Sequence, residues 1–409
     1  MNADQKQTLA LLNPIAVPDS SLIVRRGSLP EQLEADIVSS DSVKLLVAGQ
    51  RGMGKTTELR RFVSLLDERE FIPVFLQFGS QESISEPGLL AAMAESLYAS
   101  LENGVAETEL KALQSWFEQE DRTTLVEEGS QGEAGLGGDF LVLSGKAKVA
   151  HRKSTAKTSK KTVVKTKREL VTSFNDFVER VRAKMKRRVV FVVDDIDKVQ
   201  DSKSIESTFI HSAHLIGEIA CPCVFTVPIT YATSTYLRIA SLPYNAIYRV
   251  PAVELLGPSG QIKAEGFDFM REILSRRMIY NPIPPELLDV LMRYSGGVLV
   301  DALRLTYGVC KQVILNSRAN LHAAVESEFQ RIVDDFKYVF DRPALWKKLS
   351  GFCKTVDKRV FVTEELILEL LYKMIVIEYR DSEMWFDLHP AARRLYENNA
   401  KVIDSIANG

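Results

Sequence analysis

An α/β architecture, a parallel sheet with helices on both faces, follows from three stretches of this 409-residue sequence. Leu45, Leu46, Val47 and Ala48 form a short apolar run that passes directly into a glycine-rich loop and then an amphipathic segment. Val189 to Val193 is an unbroken apolar run ending in Asp194-Asp195, and residues 222–231 form a further apolar run behind a helical stretch from Lys203 to Ala220. Strands covered on both faces of a parallel sheet read as continuous apolar runs, because neither face meets water.

Residues 1–40 read as an entry segment carrying prolines, with a capped helix beginning near Ser28-Leu29-Pro30. Arg25 and Arg26 precede it, either as a solvated basic pair or beside a bound base or ribose. After the first strand, Gly49 to Thr56 match G-x-x-x-x-G-K-[ST], the phosphate-cradling P-loop, with Gly49, Gly54, Lys55 and Thr56 at the fixed positions. Glycine is required where the backbone curls its N–H groups up to an anion, and the helix that follows points its N-terminus at the same place. The expected cradle is Gly49, Gln50, Arg51, Gly52, Met53, Gly54, Lys55, Thr56 and Thr57. Lys55 should reach the β- and γ-phosphates of ATP, and the Thr56 hydroxyl should hold Mg²⁺.

A P-loop needs a metal-positioning acid on a neighbouring strand, and the run ending in Asp194-Asp195 supplies it. Asp194 is the expected second metal residue and Asp195 the group that polarises the attacking water. Asp197 and Lys198 stand just beyond and could face the same crevice. Thr230, at the expected end of the strand over 222–231, occupies the position of a γ-phosphate sensor; a threonine chosen for its strand propensity is the alternative. Residues 71–78 read as another strand and 87–102 as a helix.

Residues 129–168 change character: Gly-rich, then basic, with no acid between Asp139 and Glu169. They read as an insertion in the core, either a solvated loop or a contact surface for nucleic acid or an acidic partner. Aromatic stacking residues are nearly absent from it, which argues against base reading. Residues 263–325 read as several helices. Residues 341–400 read as helix, helix, two strands about the turn Arg380-Asp381-Ser382-Glu383, and a final helix, the pattern of a winged helix. The domains expected are 1–40, a core over 41–258, a helical lid over 259–335 and a winged-helix-like unit over 336–409.

Composition is that of ordinary globular material, 45% apolar and 26% charged, with a formal charge of −2 that indicates no nucleic-acid partner by itself. No apolar run is long enough to span a bilayer, and no basic-then-apolar leader opens the chain, so a cytoplasmic protein without membrane contact is expected. Cys221, Cys223, Cys310 and Cys353 lack metal-ligand spacing and read as reduced thiols.

The stretches GQRGMGKTTELRR, VVFVVDDIDKV, VFTVPIT, SGGVLVDAL and MWFDLHPAARRL occur in the order seen in a group of bacterial AAA-type ATPases near the initiator/origin-recognition and STAND clades, which the chain resembles from about Arg25 to Tyr396. The resemblance implies an ASCE, AAA-like core with lid and winged helix, ATP and Mg²⁺ as ligands, homo-oligomers, and a regulatory or mechanical switch acting on a partner protein. Some relatives sit in mobile-element or defence contexts. In such assemblies an arginine from a neighbour completes the site, which points to Arg238, with Arg249 as second choice. Two positions depart from the pattern. Relatives carry Arg five residues after the Ser of Ser295-Gly296-Gly297, where this chain has Val300, with Arg304 one turn later. The acid at 195 is Asp rather than Glu. Both favour a slowly hydrolysing switch over a fast motor. A DNA-binding ATPase and a nucleotide-binding module without turnover are the competing readings.

Overall fold

The computed structural model describes residues 1–14, 19–78, 83–101, 108, 111, 167–233, 242–340, 343–353 and 364–408. The basic insertion, apart from Lys167 and Arg168, and Arg238 lie outside the described residues. In chain order come α1 (Ala3–Leu12), α2 (Leu29–Ser39), β1 (Lys44–Ala48), α3 (Lys55–Leu65), β2 (Phe71–Gln77), α4 (Glu86–Ala99) and α5 (Lys167–Met185). β3 (Arg188–Asp194), α6 (Ser202–Glu206), α7 (Ala213–Gly217), β4 (Cys223–Val227), α8 (Ile229–Thr233) and β5 (Ala246–Arg249) complete the core.

The five strands form one sheet in the order β2-β3-β4-β1-β5, all pairs parallel. Side chains alternate across it. Leu45, Val47, Val190, Val192 and Val224 pack with Leu33, Ile37, Leu59 and Phe62 of α2 and α3. Leu46, Ala48, Phe191, Val193, Phe225 and Val227 pack on the other face with Leu89, Met93, Phe174 and Phe177 of α4 and α5. Burial on both faces is why these segments read as continuous apolar runs. The register aligns Gln77 with Asp194 and Ala48 with both Val227 and Arg249, so the carboxyl ends of the strands open along one edge. That edge is where α/β sheets bind ligands.

The stretch 203–220 is helical as expected, though not of one pitch: α6 passes into a π-helical turn over Ser207–His211, where Ser212 N–H reaches Ser207 O at 2.8 Å, before α7. One expected element differs. The strand after α7 stops at Val227, because Pro228 has no N–H to continue the ladder. Thr230 therefore stands in α8, beyond the sheet.

Four helices follow, α9 (Ala264–Ser275), α10 (Pro285–Ser295), α11 (Leu299–Leu315) and α12 (Leu321–Val339). The N-terminal α1, not anticipated from the sequence, joins this unit: Thr8 is fully buried and accepts the Tyr280 N–H at 2.8 Å. The C-terminal unit runs α13 (Pro343–Cys353), α14 (Glu364–Tyr372), β6 (Val376–Arg380), β7 (Met384–Leu388) and α15 (Pro390–Asn408), with β6 and β7 an antiparallel pair. It does not stand apart. Ala252 N–H donates to Glu378 O at 3.0 Å, and the Tyr379 hydroxyl donates to Gly296 O at 2.6 Å. Gly297 has φ +79°, and a Cβ there would fall 1.9 Å from Val253 O, so only glycine permits the main chains to meet.

Candidate functional site

The loop from Ala48 to Lys55 turns on Gly52 and Gly54, at φ +80° and +92°, a region open to glycine and costly for other residues. α3 starts immediately behind it, so the N-terminal amides of that helix face the mouth of the loop. Lys55 is buried. Its Nζ donates to Gly49 O at 2.8 Å and Gln50 O at 2.9 Å and lies 3.1 Å from Asp197 Oδ2. Thr56 and Asp194, expected to share a metal, are neighbours, close enough for the Thr56 hydroxyl to favour the ionised form of the carboxylate.

Asp194 is fully buried at the end of β3. Burial pushes its carboxyl above the ordinary range, against the lowering effect of the nearby Thr56 hydroxyl. Its Oδ1 accepts the Asp195 N–H at 2.8 Å, while its Oδ2 and Asp197 Oδ1 have no hydrogen-bond partner. One carboxylate oxygen from each of Asp194, Asp195 and Asp197 lies within 4.8 Å of the others, the one such acidic group among the described residues. Three buried carboxylates, two of them with unpartnered oxygens, fit a hard divalent cation such as Mg²⁺, which takes oxygen ligands. Asp195 adopts φ +67°, a strained conformation for a residue with a side chain. Its Oδ1 pairs with Lys198 Nζ at 2.6 Å, and its Oδ2 accepts from Gln77 Nε2 at 3.3 Å. Thr226 Oγ1 accepts the Ile196 N–H at 3.2 Å and so holds the acidic turn against β4.

A cavity of about 570 Å³ runs away from this cluster. Its lining combines residues 51–58, Gln77, Asp195, Asp197, Lys198 and Arg304 with the apolar Leu22, Ile23, Val24, Phe269, Ile273 and Leu303. Arg26 also lines it and is fixed in place, donating to Met53 O at 3.2 Å and Pro251 O at 2.6 Å with Phe269 beside it. Burial pulls its guanidinium down to about 10. Arg25, by contrast, is solvent-exposed and paired with Glu31. The basic pair thus divides: one residue in the wall, one in water.

Of the cradle expected from the sequence, Arg51 to Thr57 line the cavity. Gln50 lines none of it; its side chain turns to the C-terminal unit, with Nε2 donating to Leu371 O and Val376 O. Arg249, the second choice for an arginine offered to a neighbour, is committed within the chain: it pairs with buried Glu378 at 2.5 Å and donates to Ala232 O. Val300 donates its N–H to Gly52 O at 3.2 Å and packs on the loop apex, while Arg304 lines the cavity. Sequence reasoning missed Gln77, Phe269, Ile273 and Arg277 as lining residues. Gln77 had a signal, its place at the carboxyl end of a sheet strand; the others are set by packing between distant segments.

The parallel sheet, the phosphate-type loop after β1 and the acid cluster at the end of β3 define an α/β P-loop NTPase fold. Residues 31–213 match the family model described as the KAP family P-loop domain. Among solved structures, the chain is similar to the ORC1 protein of Aeropyrum pernix in complex with DNA, at 15% identity and TM-score 0.45 over 96% of this chain and 98% of that one. It is also similar to a Drosophila ORC structure bound to DNA, at 11% identity and TM-score 0.43 over 97% of this chain and 91% of that one. A STAND protein with a tetratricopeptide repeat sensor from Pyrococcus horikoshii is similar at 11% identity and TM-score 0.30, over 96% of this chain and 46% of that one. No curated protein matches the chain. Among the described residues no helix is long and apolar enough to cross a membrane.

Proposed function

We propose that this chain binds Mg·ATP and hydrolyses it slowly, as a cytoplasmic regulatory switch whose nucleotide state controls self-association or recruitment of a partner protein. The observation that supports this reading is the buried Lys55, Asp194 and Asp197 beside Thr56, next to a cavity lined by both charged and apolar side chains. Lys55 and the loop amides would receive the phosphates, and the apolar lining residues would receive the base. Thr56 and Asp194, with Asp197 beside them, would hold Mg²⁺, which would neutralise charge on the transferred phosphoryl group. Asp195 would orient the attacking water. Its contacts with Lys198 and Gln77 occupy both of its oxygens, in keeping with slow turnover. Helices α9–α12 would act as a lid, presenting Arg304 to the phosphates where relatives present the residue at 300. The C-terminal unit, with its two-stranded hairpin between helices, would be a winged helix used for protein contacts.

Titration calorimetry with ATP and magnesium, followed by phosphate release with and without duplex DNA, tests the reading. Micromolar binding with slow turnover indifferent to DNA is expected. Absence of ATP binding at millimolar ligand refutes it, and turnover stimulated by DNA favours the nucleic-acid reading instead.

A further inference from the structure

Gln50 sits in the phosphate loop, yet its side chain serves another part of the chain. It is 4% exposed, and its amide is used at both ends. Nε2 donates to Leu371 O at 2.9 Å and Val376 O at 2.7 Å, and Oε1 accepts the Glu378 N–H at 2.9 Å. The orientation is unambiguous, because carbonyls only accept and a backbone N–H only donates. Leu371 O belongs to the last turn of α14, where it also accepts the Met374 N–H at 3.1 Å. Gln50 therefore caps a helix end and the inner edge of β6 at once.

The contact is reinforced from both sides. Glu378 is held at three points: its N–H by Gln50, its carbonyl by Ala252, and its carboxylate by Arg249 of β5. β5 in turn is tied to the loop's origin, since Val250 N–H donates to Ala48 O at 2.8 Å. On the loop side, the Gln50 carbonyl is one of the two that hold Lys55 Nζ. Arg51, the next residue, lies over the Tyr372 ring with its guanidinium carbon 5.8 Å from the centroid. The residue that fixes the lysine's position is thus itself fixed by a segment more than three hundred residues away, as the 328-residue separation of Gln50 and Glu378 shows.

We propose that Gln50 is a positioning residue for the phosphate loop: its side-chain amide anchors the loop to the main chain of the C-terminal unit and makes that unit part of the nucleotide site. The inference rests on the nucleotide-binding reading above. It assigns the C-terminal hairpin a direct effect on affinity through the loop rather than through contact with nucleotide. By thermodynamic reciprocity, nucleotide must then tighten the hairpin's hold on the loop by the same factor.

The test uses the full chain, with Gln50→Ala, Gln50→Glu and Glu378→Gln compared with wild type by calorimetric titration of ATP with magnesium. Gln50→Glu keeps the size of the side chain but sets carboxylate oxygens against two carbonyls. We expect both Gln50 variants to weaken binding about tenfold, the scale on which supporting hydrogen bonds act on a site, with KM for hydrolysis rising and kcat little changed. Glu378→Gln, which does not touch the loop's own residues, should move affinity in the same direction. In wild type, hydrogen exchange at the Glu378 amide should slow when nucleotide saturates the protein. Wild type that binds ATP while both Gln50 variants bind it equally well, or a Glu378 amide indifferent to nucleotide, overturns this inference alone. Wild type that fails to bind ATP overturns it together with the nucleotide reading.

Discussion

Lys55→Ala should do two separable things, and the structure indicates how to separate them. Lys55 Nζ lies 3.1 Å from Asp197 Oδ2, and both side chains are more than nine-tenths buried. At an effective dielectric of about 20, opposite charges at that distance attract by about 5 kcal/mol. Removing one partner of a buried pair costs roughly 3–5 kcal/mol, because the remaining charge is stranded. Here the stranded carboxylate also stands beside Asp194 and Asp195 with one cation fewer. Lys55→Ala should therefore lower the melting temperature of the core by about 10 °C as well as weaken ATP binding tenfold or more. Asp197→Asn removes the stranded charge, so the double variant should regain most of the stability and none of the affinity. Scanning calorimetry on the four proteins of the cycle, with ATP titrations alongside, reads both quantities. A coupling energy under about 0.5 kcal/mol would refute the buried pair. Unchanged ATP affinity in Lys55→Ala would refute the pocket.

Other outcomes follow from neighbouring residues. Asp195→Asn should retain Mg·ATP and lose about 10²-fold in turnover, measured by phosphate release; normal turnover would move the role to Asp197. Gly52→Ala places a Cβ 2.3 Å from Val300 Cγ1 at φ +80°, so it should destabilise the chain by about 1–3 kcal/mol and weaken nucleotide binding, checked by melting and titration. Burial raises the Glu58 carboxyl above its usual 4.5 despite Arg61 and Arg26. The folded state then holds that proton more tightly than the unfolded chain. Wild-type stability relative to Glu58→Gln should be greatest below pH 4.5 and fall as pH rises through the raised value, as denaturation across that range will show.

The loop, its helix, the acid strand and the C-terminal hairpin were legible because each is written locally. Gly54-Lys55-Thr56 follows a strand at fixed spacing, and Val376 to Leu388 carries two strand runs about a polar turn. Thr230 was misplaced because the apolar run reads as one strand through Pro228, whose missing N–H ends the ladder at Val227. α1 was missed because its sequence, Ala3 to Leu12, has little amphipathic contrast, and its partner surface near Tyr280 is far along the chain. Arg26 was divided from Arg25 only by folding. Its guanidinium is held by two carbonyls, Met53 O and Pro251 O, that no local pattern announces.

The partners of Gln50 are all main-chain atoms, and this shapes what evolution can record there. Substitutions at Leu371, Val376 or Glu378 leave a carbonyl or an N–H in place, so paired changes between position 50 and those positions carry no information about this contact. The contact responds instead to register. Deleting a single residue between Tyr372 and Val376 would put β6 out of step with the end of α14, so that Leu371 O and the two β6 groups could no longer meet the Gln50 amide together without turning the strand's buried side chains to the wrong face. Among homologues, the length of that short connection is the quantity that should stay constant while its letters vary.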